Sequence, residues 1–447
     1  KCKNYLIIRL KTIYSLGFID IFRVILYKTL INLSIHKVCS IEASLPKGPF
    51  FEKSTTKKKF HAGISNWHCD SILFSYFRIP FGDNPPDWLV NPIETSKERV
   101  SLVPWWKIPD FDDAIGDIKN IWELSRFNWV IAFAQRAQKG DLHSLKRLNL
   151  WLSDWIKSNP PYLGPNWKCG QEASIRVIHL CVAALIMGQE RKTSSGLKEF
   201  IKLHLQRIEP TLHYAIAQNN NHGISEAAAL FIGGSWLLNE GDPDSIKYQK
   251  LGRRWIENRV QKLIDDDGSF SQYSVNYHRM MLDTLSIAEV WRQNIGLESF
   301  SLEFYRKSAL ATSWLYQMVC KKCGDAPNLG ANDGTLILQL TDSPYRDFRP
   351  SVQLASGLFK NCLAYQKKGF WDEHMTWLGV SKMEVNSEPY VNCDYNDGGY
   401  KILRFGCAKA IFKFPKYRFR PSQADALHVD LWVNEANFLS DSGSYSY

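Results

Sequence analysis

Apolar residues recur every three or four positions from about residue 113 to residue 322, which is the spacing of one face of an α-helix. Short polar breaks such as NPPYLGPNW, NEGDPDS and DDDGS divide this stretch into separate helices. The predicted helices span residues 113–138, 141–157, 170–188, 195–217, 222–239, 244–265, 273–294 and 300–322, with two more within 351–380. Consecutive helices joined by short connections are usually antiparallel neighbours, so the pattern predicts a series of helical hairpins.

Helical hairpins of this kind form either an open solenoid or a closed ring. The sequence contains no self-repeat of the type that marks a solenoid, so the ring is preferred. After Tyr395 apolar and polar positions alternate, with turns at NDGG and NEAN, which predicts antiparallel strands. We divide the chain into an N-terminal arm with an irregular segment (1–110), a helical ring (111–390) and the start of a β-domain (395–447). A cleft between the last two is a natural ligand site.

The N-terminal arm carries most of the net charge of the chain, which is +10. Residues 1–60 hold twelve Lys or Arg against three acidic residues, so the rest of the chain is nearly neutral. An acidic ligand must therefore be held by local cations, and no basic stripe predicts nucleic-acid binding. From Tyr5 to Lys37 the arm has helical spacing. Its broad apolar face without tryptophan favours packing on the body over membrane-surface contact.

Other features of the sequence narrow the class of protein. No apolar run reaches the about 20 residues of a membrane span, and no signal peptide is visible. The chain starts at Lys1 and ends in a strand-like stretch, so we expect a fragment of a longer protein. Cys320 and Cys323 form the only CxxC, which indicates ordinary thiols instead of a zinc site. Residues 44–110 are rich in Pro, Gly and aromatic residues and predict irregular structure with one or two short strands.

Polar residues cluster where two of the predicted apolar helices meet. Asn219, Asn220, Asn221 and His222 lie between these helices, and one asparagine is enough for an N-cap. The remaining amides are then free to face a cavity, because polar groups are costly to bury without a partner or a task. Glu226 lies one helical turn after His222, where it either orients the imidazole or interacts with the helix dipole.

Tyr277 lies on the second helix after the one that carries His222. In a ring of hairpins, alternate helices occupy equivalent positions, so both side chains can face one central cavity. A phenol with a pKa of about 10 is a poor base unless nearby cations stabilise its phenolate. His278 and Arg279 are the candidates for that role. Asn332 and Asp333 in GANDGT and Arg349 in YRDFRPS are interpreted mainly as a turn with Asp–Arg pairing.

Taken in order, several motifs resemble a known family. They are WELSRFNW, NPPYLGPNWKCGQEASIRV, NNNHGISEAAAL, DGSFSQYSVNYHRMMLDTL, GANDGT, YRDFRPS, PSQADALHVDLW and DSGSYSY. Over about residues 110–447 the chain resembles the heparinase II/III-like polysaccharide lyases and their alginate-lyase relatives. The resemblance implies an α+β, multidomain fold: an incomplete (α/α) toroid of helical hairpins, followed by an antiparallel β-sandwich that is truncated here. It also implies β-elimination of a uronic-acid-containing glycan, which leaves a 4,5-unsaturated uronate.

The resemblance also assigns roles to particular residues. Asn221 and His222 match the pair that engages the substrate carboxylate, and Tyr277 matches the catalytic tyrosine. That tyrosine acts as the acid and, in some members, also as the base. Glu226 lies near an acidic position of some members. The remaining candidate contacts with the glycan are Asn220, Trp122, Trp167 and Arg349.

The β-domain departs from the family pattern. Many members carry His-x-His-x-Asp, whose first histidine joins catalysis and whose second binds a structural zinc. The corresponding run here is PSQAD at residues 421–425, which lacks both histidines. We therefore expect no zinc and no other cofactor, although Asp441 aligns with a further zinc ligand. His428 is a substitute candidate for the catalytic histidine.

Two functions therefore stay open. The first is a lyase whose partner is an anionic polysaccharide, with the uronate polymer undefined. The second is a non-catalytic glycan-binding protein, or a polysaccharide-biosynthesis accessory protein, that has kept the lyase fold. The resemblance implies a periplasmic or extracellular location.

Overall fold

The computed structural model describes residues 16–444, apart from 55–61, 66, 68–69, 81, 96, 382, 415, 420–422 and 424. Most of the described chain up to residue 378 is helical. The helices are α1 (Phe18–Asn32), α2 (Ile118–Leu124), α3 (Asn128–Gln138), α4 (Leu142–Ser158), α5 (Gly170–Met187), α6 (Ser195–Ile208), α7 (Leu212–Ala217), α8 (Asn221–Asn239), α9 (Ile246–Leu263), α10 (Val275–Ile295), α11 (Leu302–Met318), α12 (Arg349–Lys360) and α13 (Glu373–Leu378).

The helix predictions from residue 141 onward are confirmed to within a few residues, except that one predicted helix is divided in two. The predicted helix before residue 141 is also divided. The predicted helix 113–138 is instead α2 and α3, because Phe127 takes a left-handed conformation (φ 70°) between them. The ring of Phe127 packs edge-on against Trp129 and Trp155, which fixes this break in the core. The predicted helix 195–217 is divided by a short 3₁₀ turn at Glu209–Thr211, which contains a proline.

Helix α8 lies at the centre of the helical part and packs against α5, α6, α9 and α10. Helices α8 and α9 approach so closely that a Cβ at Gly252 would lie 2.3 Å from the backbone nitrogen of Phe231. This contact fixes the position of α8, whose first turn carries the Asn-His pair. Helix α5 is long and apolar enough to cross a membrane, but 94% of it is buried here, as in the core helix of a globular domain.

The last part of the described chain is a single antiparallel sheet. Its strands, in spatial and chain order, are β5 (Cys393–Tyr395), β6 (Tyr400–Phe405), β7 (Ala408–Lys413), β8 (Val429–Val433) and β9 (Ala436–Leu439). The predicted alternation and both predicted turns are confirmed. Two buried lysines on β7 anchor the sheet to the helices, since Lys409 Nζ donates to Met318 O (2.9 Å) and Lys413 Nζ to Tyr273 O (3.1 Å). A second sheet that would complete the expected β-sandwich stays a prediction.

The N-terminal arm packs on the body through α1, as predicted for the part that lies within the described residues. The carboxylate of Asp20 accepts hydrogen bonds from Asn219 Nδ2 (2.9 Å) and Lys262 Nζ (3.1 Å). Tyr27 stacks on Tyr214 of α7, with ring centroids 4.1 Å apart. Membrane-surface contact by the arm stays a prediction. The hairpin of β1 (Asp70–Leu73) with β2 (Phe77–Pro80) confirms the short strands predicted within residues 44–110. A second hairpin, β3 (Phe111–Asp112) with β4 (Gly116–Asp117), occupies the start of the region predicted as the helix 113–138.

Candidate active site

The three consecutive asparagines at the start of α8 do three different things. Asn219 takes a left-handed conformation (φ 50°) and joins α1 to α9, because it donates to Asp20 and accepts from Arg259 Nη1 (3.1 Å). Asn220 is the N-cap, and its side-chain oxygen accepts from the backbone N–H of His222 (3.0 Å). Asn221 begins the helix and lines a cavity. The three asparagines therefore serve, in order, as a link between two helices, a helix cap and a cavity-lining side chain.

His222 lies beside Asn221 on the cavity wall and is partly exposed to it. Burial lowers the pKa of the imidazole below its usual value, so the ring is neutral at neutral pH. The backbone N–H of Asn221 donates to Gln272 Oε1 (3.1 Å), which fixes the first turn of α8 against the segment that leads into α10. A neutral imidazole and an amide thus present hydrogen-bonding groups to the same space.

Tyr277 is held at the start of α10 by a well-formed cap. Ser274 accepts the backbone N–H of Tyr277 (3.1 Å) and donates to Ala331 O (2.6 Å), so the helix start is joined to the loop that follows α11. The phenol lines the cavity that contains Asn221 and His222. The structure therefore brings together the three residues predicted to be catalytic. The hydroxyl group of Tyr277 donates to Asp333 Oδ2 (3.0 Å).

Asp333 belongs to a tight loop that is fixed on both sides. Gly330 and Gly334 have positive φ angles, and a Cβ at either position would lie within 2.3 Å of a backbone oxygen, of Tyr273 and of Phe74 respectively. The other oxygen of Asp333 accepts from the hydroxyl of Thr335 (2.7 Å). The sequence indicated this turn but not the contact with Tyr277. An Asn-Asp pair between two glycines was the available signal.

The cavity has a volume of about 280 Å³ and lies between α2, α5, α8 and α10. Asn220 also lines it, as predicted for a residue that contacts a ligand. The other residues on its wall are Lys119, Trp122, Arg126, Cys169, Gln171, Glu172, Ile175, Gln272, Met280 and Thr335. Trp122 is mostly buried, and its indole N–H donates to Pro165 O (2.8 Å). Its remaining surface lines the cavity.

Charged groups surround this cavity. The buried guanidinium of Arg126 forms two hydrogen bonds of 2.8 Å with Glu172 and a further ion pair with Glu123, so two carboxylates face its single positive charge. Lys119 also lines the cavity, and its ammonium group interacts electrostatically with the carboxylate of Asp333. Burial lowers the pKa of Lys119. A single lysine near the start of a helix gives no functional signal in the sequence, so this cation was not predicted.

A second cavity of about 460 Å³ adjoins the first and shares Trp122, Cys169 and His222 with it. Glu226 lines this second cavity. Its carboxyl is buried, and Oε2 has no hydrogen-bond partner within the described residues. Burial raises the pKa of Glu226 to about 8, which the neighbouring His222 partly opposes. Glu226 therefore holds a proton at neutral pH.

Two predicted neighbours of the phenol lie elsewhere. His278 is buried and stacks on Trp314 (centroids 4.4 Å apart), with Nε2 2.8 Å from Ala311 O, and burial lowers its pKa to about 4. Arg279 is buried against the rings of Tyr345 and Phe348. Successive helical residues are rotated by about 100°, so side chains adjacent to Tyr277 in sequence point away from its phenol. The prediction that they stabilise a phenolate is wrong.

Two predicted glycan contacts are also wrong. Trp167 is fully buried, with its ring packed against Trp155 and its indole N–H donating to Asn159 O (3.2 Å). Arg349 pairs with Asp347 (Nε–Oδ1 3.0 Å) at the start of α12 and does not line either cavity. Asp–Arg pairing is therefore confirmed within YRDFRPS, whereas Asp333 of GANDGT accepts hydrogen bonds from Tyr277 and Thr335 instead. Neither Trp167 nor Arg349 lines either cavity.

Of the β-domain residues that replace the family histidines, Pro421 lies outside the described residues, and Gln423 belongs to a hydrogen-bonded group with Asp441 and Ser444. Gln423 donates to Asp441 Oδ1 (3.3 Å) and accepts from Ser444 Oγ (3.0 Å). These residues do not fit a zinc site, because an amide satisfies the carboxylate that would bind the metal. Over the described ranges, no group of three or more His, Cys, Asp or Glu side chains could hold a metal ion. His428 lies 3.8 Å from Asp430 and does not line the cavity, so the structure does not support it as a substitute base.

Comparison with known proteins agrees with this architecture. Residues 56–323 match the family model of the heparinase II/III N-terminus, which is more than half of the chain. The chain therefore belongs to the heparinase II/III family. A comparison with curated proteins finds no match.

A solved structure has the same fold. A crystal structure of heparinase III aligns with a TM-score of 0.55 and 18% identity, and the alignment covers 77% of this chain and 53% of that one. A crystal structure of heparan sulfate lyase HepC from Pedobacter heparinus aligns with a TM-score of 0.47 and 18% identity, over 84% of this chain and 59% of that one. The chain thus spans little more than half the length of these structures. The fold is an (α/α) toroid followed by a β-region.

The protonated state of Glu226 leads to a test by stability measurement. In the unfolded chain this carboxyl ionises near its usual value of 4.5, whereas in the folded protein it keeps its proton to about pH 8. The folded state therefore binds more protons between these values, and its stability falls as the pH rises through this window. We expect the free energy of unfolding, measured by urea denaturation, to fall relative to Glu226→Gln by up to about 1.4 kcal/mol per pH unit. A difference that does not change between pH 5 and 8 would contradict this assignment.

Proposed function

We propose that the protein is a polysaccharide lyase that cleaves a uronic-acid-containing anionic glycan by β-elimination and leaves a 4,5-unsaturated uronate. The observation that supports this most directly is the convergence of Asn221, His222 and Tyr277 on one cavity of about 280 Å³. Membership of the heparinase II/III family adds support. The likeness to heparinase III and to a heparan sulfate lyase makes heparan sulfate the first polymer to test.

The reaction requires the substrate carboxylate to be neutralised, so that the neighbouring C–H becomes acidic. In our proposal, the amide of Asn221 and the neutral imidazole of His222 donate hydrogen bonds to this carboxylate. The ammonium group of Lys119 provides positive charge on the same wall. The Arg126 guanidinium contributes less, because Glu123 and Glu172 already compensate it.

Tyr277 carries the proton transfers in this proposal. The phenol first loses its proton to solvent, and the resulting phenolate removes the proton beside the carboxylate. The phenol formed in this way then gives that proton to the leaving 4-linked oxygen as the C4–O bond breaks and the double bond forms, which regenerates the phenolate. The hydrogen bond to Asp333 fixes the direction of the phenol. Lys119, which interacts with Asp333, is the cation that can stabilise the phenolate in place of His278 and Arg279. No zinc and no second histidine is needed in this scheme.

The first test replaces the catalytic hydroxyl. Tyr277→Phe should lower turnover by at least about 10²-fold, because it removes the proton-transfer group and keeps the ring. Turnover is measured as the absorbance of the new conjugated double bond at about 230 nm, on heparan sulfate, hyaluronate and alginate. Binding of the same glycan, measured by calorimetry, should change little.

The matched control is Tyr305→Phe, since the hydroxyl of Tyr305 also donates to a carboxylate (Glu289 Oε2, 3.1 Å) but lies outside the cavity. This variant should have wild-type turnover. Near-normal turnover of Tyr277→Phe would remove Tyr277 from the mechanism. Glycan binding by the wild-type protein without any new absorbance would instead favour the accessory role.

A second test concerns Asp333, which acts as a positioning residue for the phenol. Asp333→Ala removes the acceptor of the Tyr277 hydroxyl, so we expect kcat to fall by about 10- to 100-fold with little change in glycan affinity. Asp333→Asn keeps an oxygen acceptor at the same place and should retain more activity. Melting temperatures of both variants check the folding of the loop. Equal, wild-type kcat values in the two variants would limit Asp333 to a structural role.

A further inference from the structure

The second cavity, which adjoins the candidate active site, is walled partly by a segment outside the family match. Helix α1 contributes Tyr27, Lys28, Ile31 and Asn32 to its lining, whereas the family model begins at residue 56. The cavity shares His222 and two other residues with the first cavity. The second cavity therefore lies next to the space that Tyr277 and His222 line.

Aromatic side chains form much of the wall of this second cavity. The rings of Tyr27 and Tyr214 are stacked, and those of Trp105 and Trp106 are perpendicular, with centroids 5.6 Å apart. The indole N–H groups of both tryptophans are buried and have no hydrogen-bond partner among the described residues. Aromatic surfaces with a few convergent polar groups are typical of ligand sites, and sugar rings offer both an apolar face and hydroxyl acceptors.

The charges around the second cavity favour an anion. The buried guanidinium of Arg207 donates to Trp167 O (2.7 Å), Lys168 O (2.7 Å) and Thr211 Oγ1 (3.0 Å), which are all neutral acceptors. Within the described residues it has no carboxylate partner at ion-pair distance. Lys168 is paired with Asp110 (3.2 Å), and exposed Lys28 adds a further positive charge at the rim.

Glu226, the one other acidic residue in this lining, does not cancel that charge. Its carboxyl is more than nine-tenths buried, and Oε2 faces no hydrogen-bond partner in the described structure. A protonated carboxyl in this position can donate a hydrogen bond to a ligand oxygen. Within the described residues, the lining therefore combines two cations that have no carboxylate at ion-pair distance, Arg207 and Lys28, with a carboxyl oxygen that has no hydrogen-bond partner.

We propose that the second cavity binds the sugar next to the cleaved uronate and selects a sugar that carries its own acidic group, with Lys28 of α1 as the specificity-determining cation. This inference rests on the proposed function, because it takes the first cavity as the cleavage site. The acidic group is a carboxylate if the polymer is a run of uronates and a sulfate if the adjoining sugar is a sulfated hexosamine. In both cases the N-terminal arm contributes to substrate choice.

The test measures binding by calorimetry in the full chain that carries Tyr277→Phe, so that no turnover occurs. The probes are size-matched oligosaccharides of three kinds: a polyuronate, a sulfated heparan fragment and an unsulfated fragment that alternates uronate with neutral N-acetylhexosamine. Lys28→Gln removes the charge from the rim without disturbing the core. Thr29→Ala, an exposed change on the same helix outside the cavity lining, is the control.

We expect Lys28→Gln to weaken binding of the polyuronate or of the sulfated fragment by about 5- to 10-fold, and to leave binding of the fragment with neutral N-acetylhexosamine unchanged. The control variant Thr29→Ala should bind all three probes like the parent protein. The probe whose binding weakens identifies the acidic group as carboxylate or sulfate. Equal affinity of all three probes, or acidic-probe binding unaffected by Lys28→Gln, would overturn the proposal. A wild-type protein without lyase absorbance would refute the proposed function alone, since the binding comparison does not depend on turnover.

Discussion

The buried ion cluster of Arg126 is the interaction on which the enclosed cavity depends. Its guanidinium joins Glu123 of α2 to Glu172 of α5 and reaches Thr335 in the loop of Asp333 (3.4 Å). Glu123 also accepts the backbone N–H of Phe74 between β1 and β2 (2.9 Å). Removal of one partner from such a buried pair typically costs about 3–5 kcal/mol, because an uncompensated charge is left in the core. Parts of the chain far apart in sequence are thereby fixed around one space.

The periodicity of apolar residues was enough to predict most of the helices, because long amphipathic segments separated by polar breaks have few alternative structures. It was not enough at residue 127, where a buried aromatic side chain stabilises a left-handed residue between two helices. Among the site residues, Asn221, His222 and Tyr277 could be identified because unusual polar groups stood in apolar helices. Their convergence is a property of the ring and not of any local pattern.

The groups that complete the cavity could not be identified in this way. Asp333 bonds to Tyr277, and Lys119 lines the same cavity, although both lie in segments remote in sequence. His278 and Arg279 are adjacent to Tyr277 in sequence but are rotated into the core. The charged residues of the N-terminal arm are a further example. The arm differs from the rest of the chain in composition, yet α1 packs beside the two cavities and places Lys28 on the wall of the second cavity. Packing, and not sequence distance, decides which cations face a ligand.

The most direct measurement of the central claim is a crystal structure of the Tyr277→Phe protein with a uronate oligosaccharide bound. Our account predicts that the sugar occupies the cavity between α8 and α10, with its carboxylate within about 3.2 Å of the Asn221 amide nitrogen and a ring nitrogen of His222. The 4-linked oxygen should lie beside the ring at position 277. An oligosaccharide bound outside this cavity, or one whose carboxylate points away from His222, would contradict the account.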